Sequence, residues 1–493
     1  MRLWLLLLAA CPLPEFIPDD TDGDTVVDVD TDTDTDTDTD VDTDTDADTD
    51  VDDDSDGSPS LEDCDDNDNR RFPGNIEVCN NGVDEDCSNT DCITGQVSQY
   101  EESRFPGRAP VSAIGSVDFE AGTYAFGLGN SALQTSWELH DGLNLVFRGS
   151  KPLGGGAIHV LSVPTLVGIG ANWVVYRPQG EFLDLYHVMQ GTEELDRRIL
   201  SQQMGFPAVN GDLSSIVPMP GQEAFAALVR FTGGGGAVSF ITASNVNNRT
   251  YTPANGTTIT VLEEGYGSPA DIAELDLDVA HSTAAIAHAG DVAFDPAGVL
   301  IVDTSASFTA DDASSRVLGT ITLDATTMDT NGTIVGPVLH AAQLDGVGSN
   351  DLVVGVPTTG CVYIFSDDML QTSRPISSAW HTYCLDPASR LGWAITSIDD
   401  RDGDGLQELV ITAPGSTTVA DGAIHVLYTG RLNTPVSAEH PADVVLTLAS
   451  NGDPGLGTSI APYPAGSSTP DFIVTTDFGL NNVLTTFAID LGP

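Results

Sequence analysis

The chain has 493 residues, with 74 Asp and Glu against 17 Lys and Arg, a formal net charge of −57 and a single lysine, Lys151. A surface this acidic repels the phosphate backbone and anionic lipid, which excludes nucleic acid as a partner. With 50 Gly, 28 Pro and no sustained 3.6-residue apolar period, the sequence also excludes a helical or parallel α/β fold and predicts an all-β protein.

Residues 1–11 read as an export signal: Arg2, the apolar run Leu3–Leu8, small Ala9 and Ala10, then Cys11. Leu8-Ala9-Ala10-Cys11 resembles a bacterial lipobox, which implies acylation of Cys11 and anchoring in a lipid bilayer. An ordinary secretory signal with a free cysteine is the alternative. No apolar segment reaches the ~20 residues of a spanning helix.

Residues 12–57 are expected to form a disordered Asp/Thr-rich tether. Between positions 19 and 56 lie twenty Asp with no Lys, Arg or aromatic residue, a density of like charge that cannot collapse. At about 3.3 Å per residue its contour exceeds roughly 100 Å. Near its end Asp52, Asp54 and Asp56 with Gly57 fit the start of a calcium loop, and Asp63 offers a further carboxylate.

Residues 58–95 form a Cys/Asp-rich module. Setting Cys11 aside, six of the seven cysteines remain, an even number in an exported chain, which predicts disulfides rather than zinc. Cys64, Cys79, Cys87 and Cys92 can pair in three ways, and spacing does not choose among them. Asp63-Cys64-Asp65-Asp66, Pro73-Gly74, Glu77-Val78-Cys79 and Asp84-Glu85-Asp86-Cys87 together resemble the MopE-like metal-binding motif repeat of bacterial surface proteins. The resemblance covers about 30 residues and implies metal binding; carboxylates without histidine suit calcium by their hardness.

From residue 100 to 493 short Val/Ile/Leu/Thr runs recur between Gly, Pro, Asn and Asp clusters. The clearest unit is 391–428. Asp400, Asp402 and Asp404 alternate before Gly405, then come Leu406, whose carbonyl is available, and Glu408, at calcium-loop positions 1, 3, 5, 7 and 9. Leu409-Val410-Ile411 and Ala423–Leu427 follow as strands with no flanking helix, unlike an EF-hand. The unit resembles the FG-GAP repeat of integrin α-chain propellers, which implies a β-propeller and a structural Ca2+. Residues 340–366 repeat the plan, but Gln343 and Val347 replace two acids, so that loop is expected to bind calcium poorly. Cys361 and Cys384 lie within this repeat and are expected to form a local disulfide. Strands matching Asp351–Gly355 start near 123, 172, 225, 299, 351, 408 and 471, which predicts about seven blades, with six and eight left open because Asn144–Arg148 also resembles that strand. Gly154–Leu161 nearly duplicates Asp421–Leu427, so His159 and His425 are expected at the same place in two blades.

No metalloprotease, nucleophile-elbow, P-loop or dinucleotide motif occurs, and no catalytic residue is assigned. The function expected is a non-catalytic, surface-anchored lipoprotein at the cell surface or outer membrane, its calcium-stabilised propeller binding a protein or glycan ligand. The second reading is a secreted propeller hydrolase or lyase acting on polysaccharide.

Overall fold

The computed structural model describes residues 52–59, 63–73, 75, 78–87 and 91–96, the strands between 101 and 262, and most of the chain from 269 to 491. Side chains are described in the first group, at a few positions between 226 and 238, and from 270 onward. The signal, Cys11, the tether up to residue 51 and Asp402 lie outside the described residues.

Strands β1 (Ile93–Gln96) and β2 (Glu101–Arg108) precede the first sheet, β3 (Ala113–Glu120), β4 (Thr123–Gly129), β5 (Thr135–Asp141) and β6 (Val146–Gly154). The second sheet holds β7 (His159–Pro164), β8 (Ala171–Arg177), β9 (Phe182–Met189) and β10 (Thr192–Leu200). β11 (Gly211–Met219), β12 (Ala224–Phe231), β13 (Gly236–Thr242) and β14 (Thr258–Leu262) make the third, with the two-residue segment Asp311–Asp312 added in parallel beside β14. In the fourth, β15 (Pro269–Glu274), β16 (Thr283–His288) and β17 (Gly298–Asp303) are joined, beyond the two-residue β18 (Asp311–Asp312), by β19 (Val317–Thr322). β20 (Val338–Ala342), β21 (Asp351–Val356) and β22 (Cys361–Phe365) form the fifth with, after the short β23 (Arg374–Pro375), β24 (His381–Cys384). The sixth is β25 (Ile395–Ile398), β26 (Glu408–Ala413), β27 (Ala423–Leu427) and β28 (Val444–Thr447). The seventh has β29 (Leu456–Pro462), β30 (Phe472–Thr476) and β31 (Leu484–Ile489), and takes β2 from the front of the chain as its fourth strand.

The first strands of successive sheets touch in the order β3, β7, β11, β15, β20, β25, β29, and β29 touches β3. Antiparallel meanders radiating from a closed ring of inner strands are a β-propeller. Alternation along the middle strands explains why the ring holds. Leu352, Val354 and Val356 of β21 point into one core with Val299 and Ile301 of the fourth sheet. Val353, between them, joins Leu409, Ile411 and Leu427 of the sixth. In the same way Val410 turns from Leu409 and Ile411 toward Leu456, Phe472 and Val474. A strand with a neighbour on each face is apolar at successive positions, and all six residues of β21 and of β26 are buried.

Three expectations are corrected. The strand at 299 is β17, the third of its sheet; the second is β16, Thr283–His288, whose alanine-rich run carries little hydrophobic signal although all six residues are buried. His159 and His425 are not equivalent: His159 opens the inner strand β7, whereas His425 lies in β27, a third strand. The Cys-rich module is also not separate from the propeller. Its last strand, β1, pairs in parallel with β28 as a fifth strand of the sixth sheet, with Ile93 N–H donating to the Asp443 carbonyl at 2.7 Å.

Candidate calcium centres

The loop between β25 and β26 carries Asp400, Asp404, Leu406 and Glu408. Asp400 and Asp404 are exposed, and each folds the loop: Asp400 Oδ2 accepts from Gly405 N–H, five residues on, at 2.9 Å, and Asp404 Oδ1 makes an Asx turn with Leu406 N–H at 2.7 Å. Gly405 has φ +88°, the left-handed turn that glycine adopts without penalty. Glu408 is fully buried at the head of β26, where Oε1 accepts from Arg401 N–H at 2.8 Å.

The fifth sheet holds the matching loop 57 residues earlier, and it is closed differently. Gln343 stands where Asp400 does. Its amide Nε2 donates to the carbonyls of Val347 and Gly348 at 3.3 Å and of Ser349, the counterpart of Leu406, at 2.9 Å. Asp351 replaces Glu408, is fully buried, and accepts from Leu344 N–H at 2.8 Å, again seven residues back. A carboxylate at the strand head is thus a shared structural element, a role the sequence reading did not see when it gave Glu408 to the metal. The centres of the two loops differ. An amide N–H group draws the carbonyls of one together; in the other, Asp400 presents carboxylate oxygens, one of which accepts from Gly405 N–H. The donor set of the 400–408 loop, carboxylates plus a backbone carbonyl, fits a hard dication. Residues 343–351 do not.

The second centre is the segment 52–63. Asp52, Asp54 and Asp56 present carboxylate oxygens all within 4.8 Å of one another. Two ligands of one calcium ion at 2.3–2.6 Å lie no more than about 5 Å apart. Asp54, Asp56 and Asp63 each turn Oδ1 to the N–H two residues on, at 3.2, 2.8 and 2.9 Å. The Oδ2 atoms of all three are shut off from water without a hydrogen-bond partner. Loss of water, with the like charges of Asp56, Asp63 and Asp52, pushes the Asp54 carboxyl above its ordinary range. Carboxylate oxygens denied both water and donors are costly unless a cation takes them. Asp52 also accepts from Ser55, Asp56 and Gly57 N–H, and Gly57 has φ +104°. The legible signal is spacing: Asp63 is the twelfth residue counted from Asp52, the closing position of a calcium loop.

Disulfides Cys64–Cys87 and Cys79–Cys92 resolve the connectivity, with Cα separations of 5.5 and 4.5 Å. Cys361–Cys384 joins directly opposed residues of β22 and β24, as expected. The sulfurs of the Asp63, Cys64, Cys87 cluster are therefore not thiolates, which disfavours zinc there. Two described histidines serve packing between sheets. His340 Nε2 lies 3.0 Å from Ser397 Oγ, its counterpart 57 residues on, and His425 Nδ1 lies 2.7 Å from Tyr383 Oη. Burial lowers both imidazoles to about 4 and keeps them neutral.

No known protein family matches the chain, and no curated protein does. Among solved structures it is similar to BBS1N in the complex with ARL6DN soaked with lead, at 11% identity and TM-score 0.49, covering 81% of this chain and 99% of that one. Saccharomyces cerevisiae Sqt1 is similar at 10% identity and TM-score 0.42, over 79% of this chain and 99% of that one. A chain of the Mitotic Checkpoint Complex follows at 12% and 0.44, over 79% and 92%. These likenesses are at the level of the fold, which the strand topology shows by itself.

Proposed function

We propose that this chain is an exported, lipid-anchored, non-catalytic binding protein whose seven-bladed, calcium-stabilised propeller presents its loops to a protein or glycan ligand at the cell surface. Cys11 is the anchor and residues 12–51 the spacer. The observation that carries the calcium part is the trio of water-excluded, unpartnered Oδ2 atoms on Asp54, Asp56 and Asp63. Disulfides support an oxidising compartment. Pairing of β1 with β28 gives the anchored side a stiff attachment to the propeller, so the ligand-facing loops stand at a fixed distance from the end of the spacer. His340 and His425, held neutral and spent on Ser397 and Tyr383, favour binding over catalysis.

The test is a glycan and surface-protein binding screen with the full chain, with calcium and with chelator, alongside membrane partition of Cys11→Ser. Calcium-dependent capture of a defined ligand and release of Cys11→Ser from membranes are the expected results. Turnover of a polysaccharide in the same screen overturns the non-catalytic reading. Retention of Cys11→Ser on carbonate-washed membranes overturns the anchor.

A further inference from the structure

The calcium reading of residues 400–408 leaves the second residue of the loop, Arg401, without a role. It is the sole Lys or Arg between positions 391 and 428. Its backbone N–H is held by Glu408 at 2.8 Å. Its guanidinium reaches out of its own sheet to the carboxylate of Asp471, whose side chain is only 2% exposed. Asp471 stands just before β30, its N–H donates to the Ile489 carbonyl at 2.7 Å, and its Oδ2 accepts from Leu491 N–H at 2.8 Å. It therefore fastens the exit of β31, the strand that pairs with β30 on one side and with β2 on the other. That sheet is the seam where the two ends of the propeller chain meet.

We propose that Arg401 is a latch through which the cation loop holds the ring-closing sheet shut. The inference rests on the calcium reading and adds its consequence. Without a dication, the like charges of Asp399, Asp400, Asp404 and Glu408 draw the guanidinium of Arg401, the sole basic side chain of residues 391–428, toward them and away from Asp471. A dication in the loop takes over that neutralisation and leaves the guanidinium to Asp471. A carboxylate so withdrawn from water is unstable in charged form without its partner, so loss of the pair loosens the hold on β31. Occupancy of one sheet is thereby read at the closure of the next.

Hydrogen exchange of the full chain with calcium and with chelator tests this. Protection of residues 404–410 reports occupancy, and protection of 472–476 and 484–491 reports the seam. In the native chain calcium should slow exchange at both, by about tenfold at the seam. Arg401→Gln should keep the calcium effect at 404–410 and lose it at 484–491, and Asp471→Asn should do the same. If Arg401→Gln fails to fold, Arg401→Lys, which keeps charge but not the forked geometry, should show a seam effect about threefold smaller. Seam protection unchanged in these variants overturns the latch alone. No calcium effect at 404–410 in the native chain overturns the loop assignment and the latch with it.

Discussion

Loops 343–351 and 400–408 occupy the same place in adjacent sheets, share a buried carboxylate at the strand head, and solve one electrostatic problem in two ways. Carbonyls and carboxylates folded inward need a positive centre. The first loop makes it from its own chain, with the Gln343 amide donating to three carbonyls and Asp367 Oδ2 accepting Ser349 N–H, packed so closely that a Cβ on Gly348 would strike that carboxylate. In the second, Asp400 replaces the amide and the space beside Gly405 is open. On the calcium reading proposed above, the closed loop is indifferent to calcium and the open one makes stability depend on the surroundings. On that same reading, the difference teaches that a binding loop is lost less by deleting ligands than by supplying a donor in the ion's place.

The largest expected effect separates the loops by calcium. Binding to the folded loop and hardly at all to the unfolded chain should stabilise the native state by about 2.7 kcal/mol at a hundredfold excess over Kd. Asp404→Ala should remove most of the share owed to the sixth sheet, and Asp345→Ala should leave the calcium response unchanged. Calorimetry of the full chain and both variants, with calcium and with chelator, checks it. Equal calcium responses in native protein and Asp404→Ala would break the comparison.

Somewhat smaller is the effect of converting one loop into the other. Asp345, Gly348 and Asp351 already stand at the right positions. Gln343→Asp with Val347→Asp removes the internal amide and restores two carboxylates. The double variant should lose stability in chelator, because like charges now face one another, and gain a new calcium response of about 2 kcal/mol. Val347 is exposed at 67%, so the change there costs no packing. A double variant with no added calcium response would mean that loop shape, not the donor at position 343, decides binding.

Much of this was legible in the sequence. Apolar runs such as Leu352–Val354 and Leu409–Ile411 announce strands buried on both faces, and their spacing announces the repeat. β16 was not legible, because Thr283-Ala284-Ala285-Ile286-Ala287-His288 has the burial of a core strand and the composition of a loop-to-strand transition. The similarity of Gly154–Leu161 to Asp421–Leu427 misled because a five-residue strand motif says nothing about which strand of a sheet it fills. At the sites, the acidic spacing in 400–408 was plain. The service of Glu408 to Arg401 N–H, and the reach of Arg401 to Asp471, depend on contacts that no local pattern encodes. Addition of β1 to the sixth sheet is equally long-range, since Ile93–Gln96 carries no apolar alternation of its own.

The smallest effect concerns the strand-head carboxylate of the closed loop. Burial pushes Asp351 up to about 6 against the N–H bonds of Leu344 and Asp367, with the nearby charges of Asp345 and Asp367 adding to the rise. The folded state therefore holds this proton over a range in which the unfolded chain, with an ordinary aspartate near 3.9, has released it. Stability from the protonated carboxyl is fully present below about pH 4 and is lost as pH rises through about 6. A two-unit difference sets a ceiling of about 2.7 kcal/mol, and relaxation around the loop should leave about 1 kcal/mol. Asp271, also raised to about 6, adds a slope of the same sign, while His340 and His425, lowered to about 4, oppose it. The informative quantity is accordingly the difference between the native chain and Asp351→Asn, measured by urea unfolding in chelator at intervals from pH 4 to 7. Between pH 4 and 6 the native chain should lose stability relative to Asp351→Asn, and above pH 6.5 the two curves should run parallel. Parallel curves throughout would mean that the two N–H bonds outweigh burial and that Asp351 is ionised in the fold, as a carboxylate beside a bound cation would be.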